Sequence, residues 1–170
     1  MKNKNYNFII FIIFSLSFNQ NLFAICFDNL PVSNLDSDYI INTDGTVIDK
    51  KTNLMWKQCS QGLTGNDCQG NPSTFTWVES LLEAENHGFA GFNDWRVPNI
   101  KELRSIVELS CKEPSINENI FPNTRPWYYW TSSPYSRDSN HTWRITFNSG
   151  GDFLFGRDGL YFVRLVRTRN

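Results

Sequence analysis

Four cysteines, two histidines and a tryptophan–arginine pair are the side chains of this 170-residue chain on which chemistry would first be sought. Cys26, Cys59, Cys68 and Cys111 form no CxxC, and His87 and His141 are isolated, so no zinc ligand set is spelled out. An even cysteine count behind an export leader argues for two disulfides. Three pairings are open. Cys59 and Cys68 bracket the Gly-rich "CSQGLTGNDC", which a local bridge would staple, and Cys26 would then reach Cys111. The chain has no nucleophile elbow and no phosphate-cradling glycine loop. Carboxylates are plentiful, but no spacing singles out a pair. "GFNDW" and "EPSINEN" supply oxygens that calcium would accept, yet they read better as the approach to a helix and as a loop. The expected chemistry is recognition without catalysis, metal or cofactor.

Trp95 and Arg96 stand just before a helix, as a ligand site or as a pin between helix and sheet. Pro98 pushes Val97 toward an extended backbone, and neighbours in an extended stretch point to opposite sides. Trp95 then enters the core while Arg96 ties backbone carbonyls and a carboxylate such as Asp94 or Glu102. This favours the pin.

Charge is unevenly spread. Residues 25–118 carry fourteen acids and seven bases, and residues 119–170 carry three acids and seven bases. All seven late bases are arginine: Arg125, Arg137, Arg144, Arg157, Arg164, Arg167 and Arg169. One reading is an anionic partner. The other scatters these arginines over solvated strand faces or pairs them with the acidic half. On the first reading Arg144 leads, exposed on the polar face of "HTWRITF", with Arg137, Arg157, Arg167 and Arg169 completing a patch. Residues 25–170 hold fourteen bases against seventeen acids, a formal −3, so binding needs local clustering. No nucleic-acid partner is expected.

Several elements must position these residues. Lys2 and Lys4 precede the eleven-residue apolar run Phe8–Phe18, and Ala24 offers a cleavage point. Residues 1–24 read as a secretory leader, too short in its apolar part to span a bilayer. Residues 25–170 read as one domain, expected in the periplasm, at the cell surface or secreted, with no stable membrane span after cleavage. Residues 25–38 read as irregular. Thr46–Ile48 and Leu54–Trp56 read as strands around a turn. Thr76 and Glu79 form a capping box for a first helix with Trp77, Val78, Leu81 and Leu82 inward and Gly88 closing it. A second helix follows Asn99, with Leu103, Ile106, Val107 and Cys111 on its inner side. "YYWTSS", "HTWRITF", "DFLF" and "LYFVRLVR" read as an antiparallel ribbon, with Trp143, Ile145 and Phe147 on its core face. The fold class is α+β.

The motifs "DGTVIDKKTNLMWKQC", "GFNDWRVPNIKELRSIVE", "PSINENIFPNT", "YYWTSSPY" and "YFVRLVR" follow one another in an order that resembles the Lcl C-terminal domain family, named after a bacterial collagen-like adhesin. The resemblance covers about Asp44 to Arg167. It implies a fold similar to C-type lectins and formylglycine-generating enzymes, with two helices flanking antiparallel sheets. It also implies a homo-oligomer that binds sulfated glycosaminoglycan. This chain has no collagen-like Gly-x-y stalk, and it ends in "RLVRTRN", a tail that departs from the family pattern. The functions expected are an exported adhesion module for anionic polysaccharide, a structural domain binding a protein on the same cell, and, third, an enzyme of the formylglycine-generating kind.

Overall fold

The computed structural model describes residues 24–169; the expected leader, but for Ala24, lies outside them. Three antiparallel sheets and two short helices make a mixed α and β domain. Strands β2 (Tyr39–Ile41), β3 (Thr46–Asp49), β4 (Leu54–Lys57) and β9 (Val166–Thr168) form a sheet in that order. Strands β6 (Tyr128–Pro134), β7 (His141–Thr146) and β8 (Asp152–Gly156) form a second. A two-residue pair, β1 (Ile25–Cys26) and β5 (Cys111–Lys112), fastens the N-terminal segment.

Both faces of β3 and β4 are covered, so every residue in these short strands is buried. Val47 and Trp56 pair across the strands and face a core with α2 (Ile100–Ser105), Phe121, Tyr129 and Ile145. Ile48 and Met55, the next pair, face a second core with Trp95, Trp130, Val163 and Leu165. Helix α1 (Trp77–Glu85) closes that core with Trp77, Leu81 and Ala84, spaced as one helical face.

The capping box of α1 is present: Thr76 Oγ1 accepts from the Glu79 amide, and Glu79 accepts from the Thr76 amide. Its inner face is narrower than the sequence reading, since Val78 and Leu82 are 55% and 52% exposed. Asn86 caps the helix in place of Gly88. Helix α2 also ends early, with Ile106 as its C-cap. Beyond it Val107 bridges to Ile116, and the Glu108 carboxylate accepts from the amides of Ser33, Asn34 and Ser110. Those local bonds offer the backbone an alternative to another helical turn. Cys111 therefore lies on a strand rather than a helix, still facing Cys26 in register.

Both expected disulfides are formed, Cys26–Cys111 and Cys59–Cys68. The closing segment departs from the single ribbon strand expected. Phe162 bridges to Tyr129 beside β6, and the chain then crosses to pair with β4 as β9. Val163, Arg164, Leu165 and Val166 are all fully buried, so this stretch welds the two sheets and has no solvent face.

Candidate functional site: an arginine beneath an aromatic face

On β7, alternation places His141, Trp143 and Ile145 on one side and Thr142, Arg144 and Thr146 on the other. The cross-strand register fixes what joins them. Arg144 lies opposite Trp130 and Phe153, Thr142 opposite Phe155, and Thr146 opposite Tyr128. The polar-looking side of β7 is thus flanked by aromatic rings from both neighbouring strands. Arg144 is fully buried, which corrects the expectation of an exposed contact residue. Its guanidinium carbon sits 3.6 Å from the Phe155 ring centroid, 3.8 Å from Tyr161, 4.7 Å from Tyr128 and 5.5 Å from Trp130. Nε, Nη1 and Nη2 have no hydrogen-bond partner among the described residues. Cation–π attraction offsets part of the desolvation cost, and burial still pulls the Arg144 pKa below its ordinary value.

The surface above this cation is aromatic. Trp127 is 54% exposed, Phe155 42% and Phe153 40%. Trp127, Phe153, Phe155 and Tyr161 all make edge contacts with the Tyr128 ring. Successive ring centroids stand 5.3 Å (Trp127–Tyr128), 5.7 Å (Tyr128–Phe153) and 6.4 Å (Phe153–Phe155) apart.

The five arginines expected as a patch do not converge. Arg157 is half-buried and stacks 4.1 Å over Trp77 at the end of β8. Arg137 is exposed in the β6–β7 turn, beside Asp138, whose carboxyl is lowered by the Asn140 amide, His141 and the Arg157 charge. Arg137, Arg144 and Arg157 therefore belong to the three-stranded sheet. Arg167 and Arg169 belong to the other. Arg167 is buried over Phe92, its fork held by Asp94 at 2.7 and 3.1 Å, which corrects its expected place in a surface patch. Arg169 is exposed beside Asn53. Trp143, expected in the core, is half-buried against Tyr135.

Trp95 and Arg96 form the pin. Trp95 is buried, and its indole N–H donates to the Phe89 carbonyl at 3.0 Å. The Arg96 backbone exchanges two hydrogen bonds with Val166, joining the helix approach to β9. Its guanidinium meets both Glu102 oxygens at 2.7 Å. Burial pushes the Glu102 carboxyl up, but the Arg96 fork and the Asn99 amide outweigh it and hold it below the ordinary range.

Two other cations escaped sequence reading because neither has a motif. Arg164 is fully buried, donating to the carbonyls of Lys57 and Gln58 and to the hydroxyls of Ser60 and Thr124. Burial drags its pKa down to about 10. Lys57 is buried over Phe89 and donates to Gln61, which joins it to Glu83 and His87; burial brings it down to about 8. A cleft of about 820 Å³ lies elsewhere, between the N-terminal segment and residues 108–119. Apolar Phe27, Leu30, Val32 and Leu35 line it with Asp28, Asp36, Glu108 and Glu118, and among the described residues no basic one does.

Among the described residues, no group of three or more His, Cys, Asp or Glu is gathered to hold a metal ion, and no helix is long and apolar enough to cross a membrane. The two disulfides are compatible with an exported chain. A search among curated proteins finds no match. Residues 45–167 match the family described as the Lcl C-terminal domain, and the chain belongs to that family.

Proposed function

We propose that this protein is an exported, non-catalytic adhesion module that holds an anionic, sulfated polysaccharide on the aromatic face of β6–β8. The observation that carries it is the Arg144 guanidinium, buried beneath the exposed Phe155 ring and beside the exposed rings of Phe153 and Trp127. Sugar rings stack on Trp127, Phe153 and Phe155. Arg137 and Arg157, at one end of the stripe, meet sulfate or carboxylate, for which the planar guanidinium is suited. Arg144, fully buried, makes no direct contact and supplies positive potential from below. Arg167, buried on Asp94, takes no part, and the exposed Arg169 lies on the other sheet. The non-catalytic reading is supported by the cysteines: all four are in disulfides, so no free thiol is available for oxygen chemistry of the formylglycine-generating kind. The C-type-lectin-like reading of the fold is supported by family membership and by two helices set against antiparallel sheets. Assembly into a homo-oligomer rests on the family alone.

The test is retention on immobilised dextran sulfate, with neutral dextran as control. Retention on dextran sulfate alone is expected near about 50 mM salt, falling steeply by about 0.3 M as charges are screened. Trp127→Ala and Phe153→Ala should each weaken it roughly tenfold, the loss of one anchoring side chain, with little change in Tm. Equal retention on neutral dextran, or variants that bind like wild type, would overturn the assignment. A protein partner is the second reading, favoured by the apolar, base-free cleft beside Phe27 and Leu35. Absence of dextran sulfate retention at low salt moves the assignment there.

A further inference from the structure

Glu118 is a half-buried carboxylate on the rim of that cleft. Its one hydrogen bond among the described residues comes from the Ala24 amide, at 2.6 Å across 94 positions of sequence. Among the described residues, no cation is placed to neutralise it. The other charged groups lining the cleft are Asp28, Asp36 and Glu108, all acids. The nearest base in sequence on the neighbouring strand, Lys112, is turned to the Phe27 ring and to Glu113. Burial raises the Glu118 pKa, and only the Ala24 amide opposes it. A carboxylate in this setting lacks a positive partner.

We propose that Glu118 is the receptor for the amino terminus freed when the leader is removed. The inference rests on the reading of residues 1–24 as a leader cleaved after Ala24. Hydrolysis of the Ala24–Ile25 bond consumes one water, leaves a carboxylate on Ala24 and gives Ile25 an amine that takes up a proton at neutral pH. Loss of Ala24 also strips Glu118 of its donor. The Ile25 nitrogen lies one residue on, about 3.8 Å of chain, and the ion pair requires the Glu118 side chain to rotate toward it. Ile25 cannot drift far, because it pairs with Lys112 and its neighbour Cys26 is bonded to Cys111. Processing thus converts a neutral contact into an ion pair at the seam between β1 and the 108–119 segment. The mature chain gains a lock there that the precursor lacks.

The experiment compares exported chains beginning at Ile25 with chains carrying Gly-Ser before Ile25, each with Glu118 or Glu118→Gln. N-terminal sequencing of the protein exported with its own leader comes first. A mature chain that starts anywhere but Ile25 refutes cleavage after Ala24 and the inference with it. With the start at Ile25 established, the extension should lower Tm by roughly 2–4 °C in the Glu118 protein and by under about 1 °C in Glu118→Gln. The Ile25 amine should titrate above the ordinary value of about 8. Equal Tm with and without the extension overturns the lock while leaving the leader reading intact. So does an equal loss in Glu118→Gln. If Glu118→Gln fails to accumulate, the two Glu118 chains and the amine titration still decide.

Discussion

At the scale of the residue, this domain uses arginine as internal hardware. Arg164 gathers carbonyls and hydroxyls, Arg167 locks to Asp94, and Arg96 forks onto Glu102 beside a buried tryptophan. The pair Trp95–Arg96 separates two kinds of contribution. Trp95 fills core volume among Phe89, Val97 and Leu165, and its truncation leaves a cavity. Trp95→Ala should cost about 3–5 kcal/mol. The Arg96 side chain is 40% exposed, so water screens its fork and compensates its loss. Arg96→Ala should cost about 1–2 kcal/mol, above a simple surface pair because the contact is bidentate and Glu102 also holds the Asn99 amide. The Glu102 carboxyl is held below its ordinary range, so its contribution is present above the unfolded pKa and fades as pH falls through the folded one. Urea denaturation at pH 7 and pH 3.5 checks both statements: the gap between wild type and Arg96→Ala should narrow at the lower pH, whereas the Trp95→Ala loss should not. The pin was readable because Pro98 dictates the backbone before it. The cover over Arg144 was not. Alternation reports which residues share a face, and only cross-strand register shows which rings lie beside them.

Among the elements, the helix starts were legible and the ends were not. Thr76 and Asn99 each stand three residues before a glutamate, and both capping boxes are formed. The end of α2 depends on a tertiary contact, Glu108 holding amides from two segments, whereas α1 closes locally, with the Asn86 side chain donating to the Leu82 carbonyl. A pairwise test follows for α1. Thr76→Ala should lower stability by about 1 kcal/mol, because it strips the Glu79 amide of its acceptor. Val78→Ser, which a fully inward stripe would make costly, should stay within about 0.5 kcal/mol, because Val78 is exposed. Thermal melts of the two variants decide it. A Val78→Ser loss as large as that of Thr76→Ala would mean that α1 buries its outer side against something further.

For the whole molecule, the two disulfides were readable from cysteine count and spacing, but their relative weight is not. The closed loops differ widely, with 85 residues separating Cys26 from Cys111 and 9 separating Cys59 from Cys68. Chain entropy alone assigns roughly 4.5 kcal/mol to the long loop and roughly 2.5 to the short one. The fold narrows that gap. Ser33 and Asn34 are already held by Glu108, and Asn34 also binds the Val107 carbonyl. Inside the folded state, the Cys26–Cys111 bridge therefore closes only the small loop from Cys26 to Ser33 and back from Glu108. Opening it lets that stretch fray, and the native state regains roughly 2.5 kcal/mol of entropy by the same relation. The net loss falls to about 2 kcal/mol. The short bridge has less such relief. Its loop is kept in place by the Thr64–Gln69 bridge, and Cys68 and Leu63 are buried with it. Replacing Cys59 and Cys68 together by serine should cost about 2–3 kcal/mol, no less than replacing Cys26 and Cys111. Urea midpoints of the two double variants, read at pH 7 with the remaining bridge intact, measure the difference directly. A loss above about 4 kcal/mol for the Cys26/Cys111 pair would show that the N-terminal segment is held by its disulfide and not by Glu108.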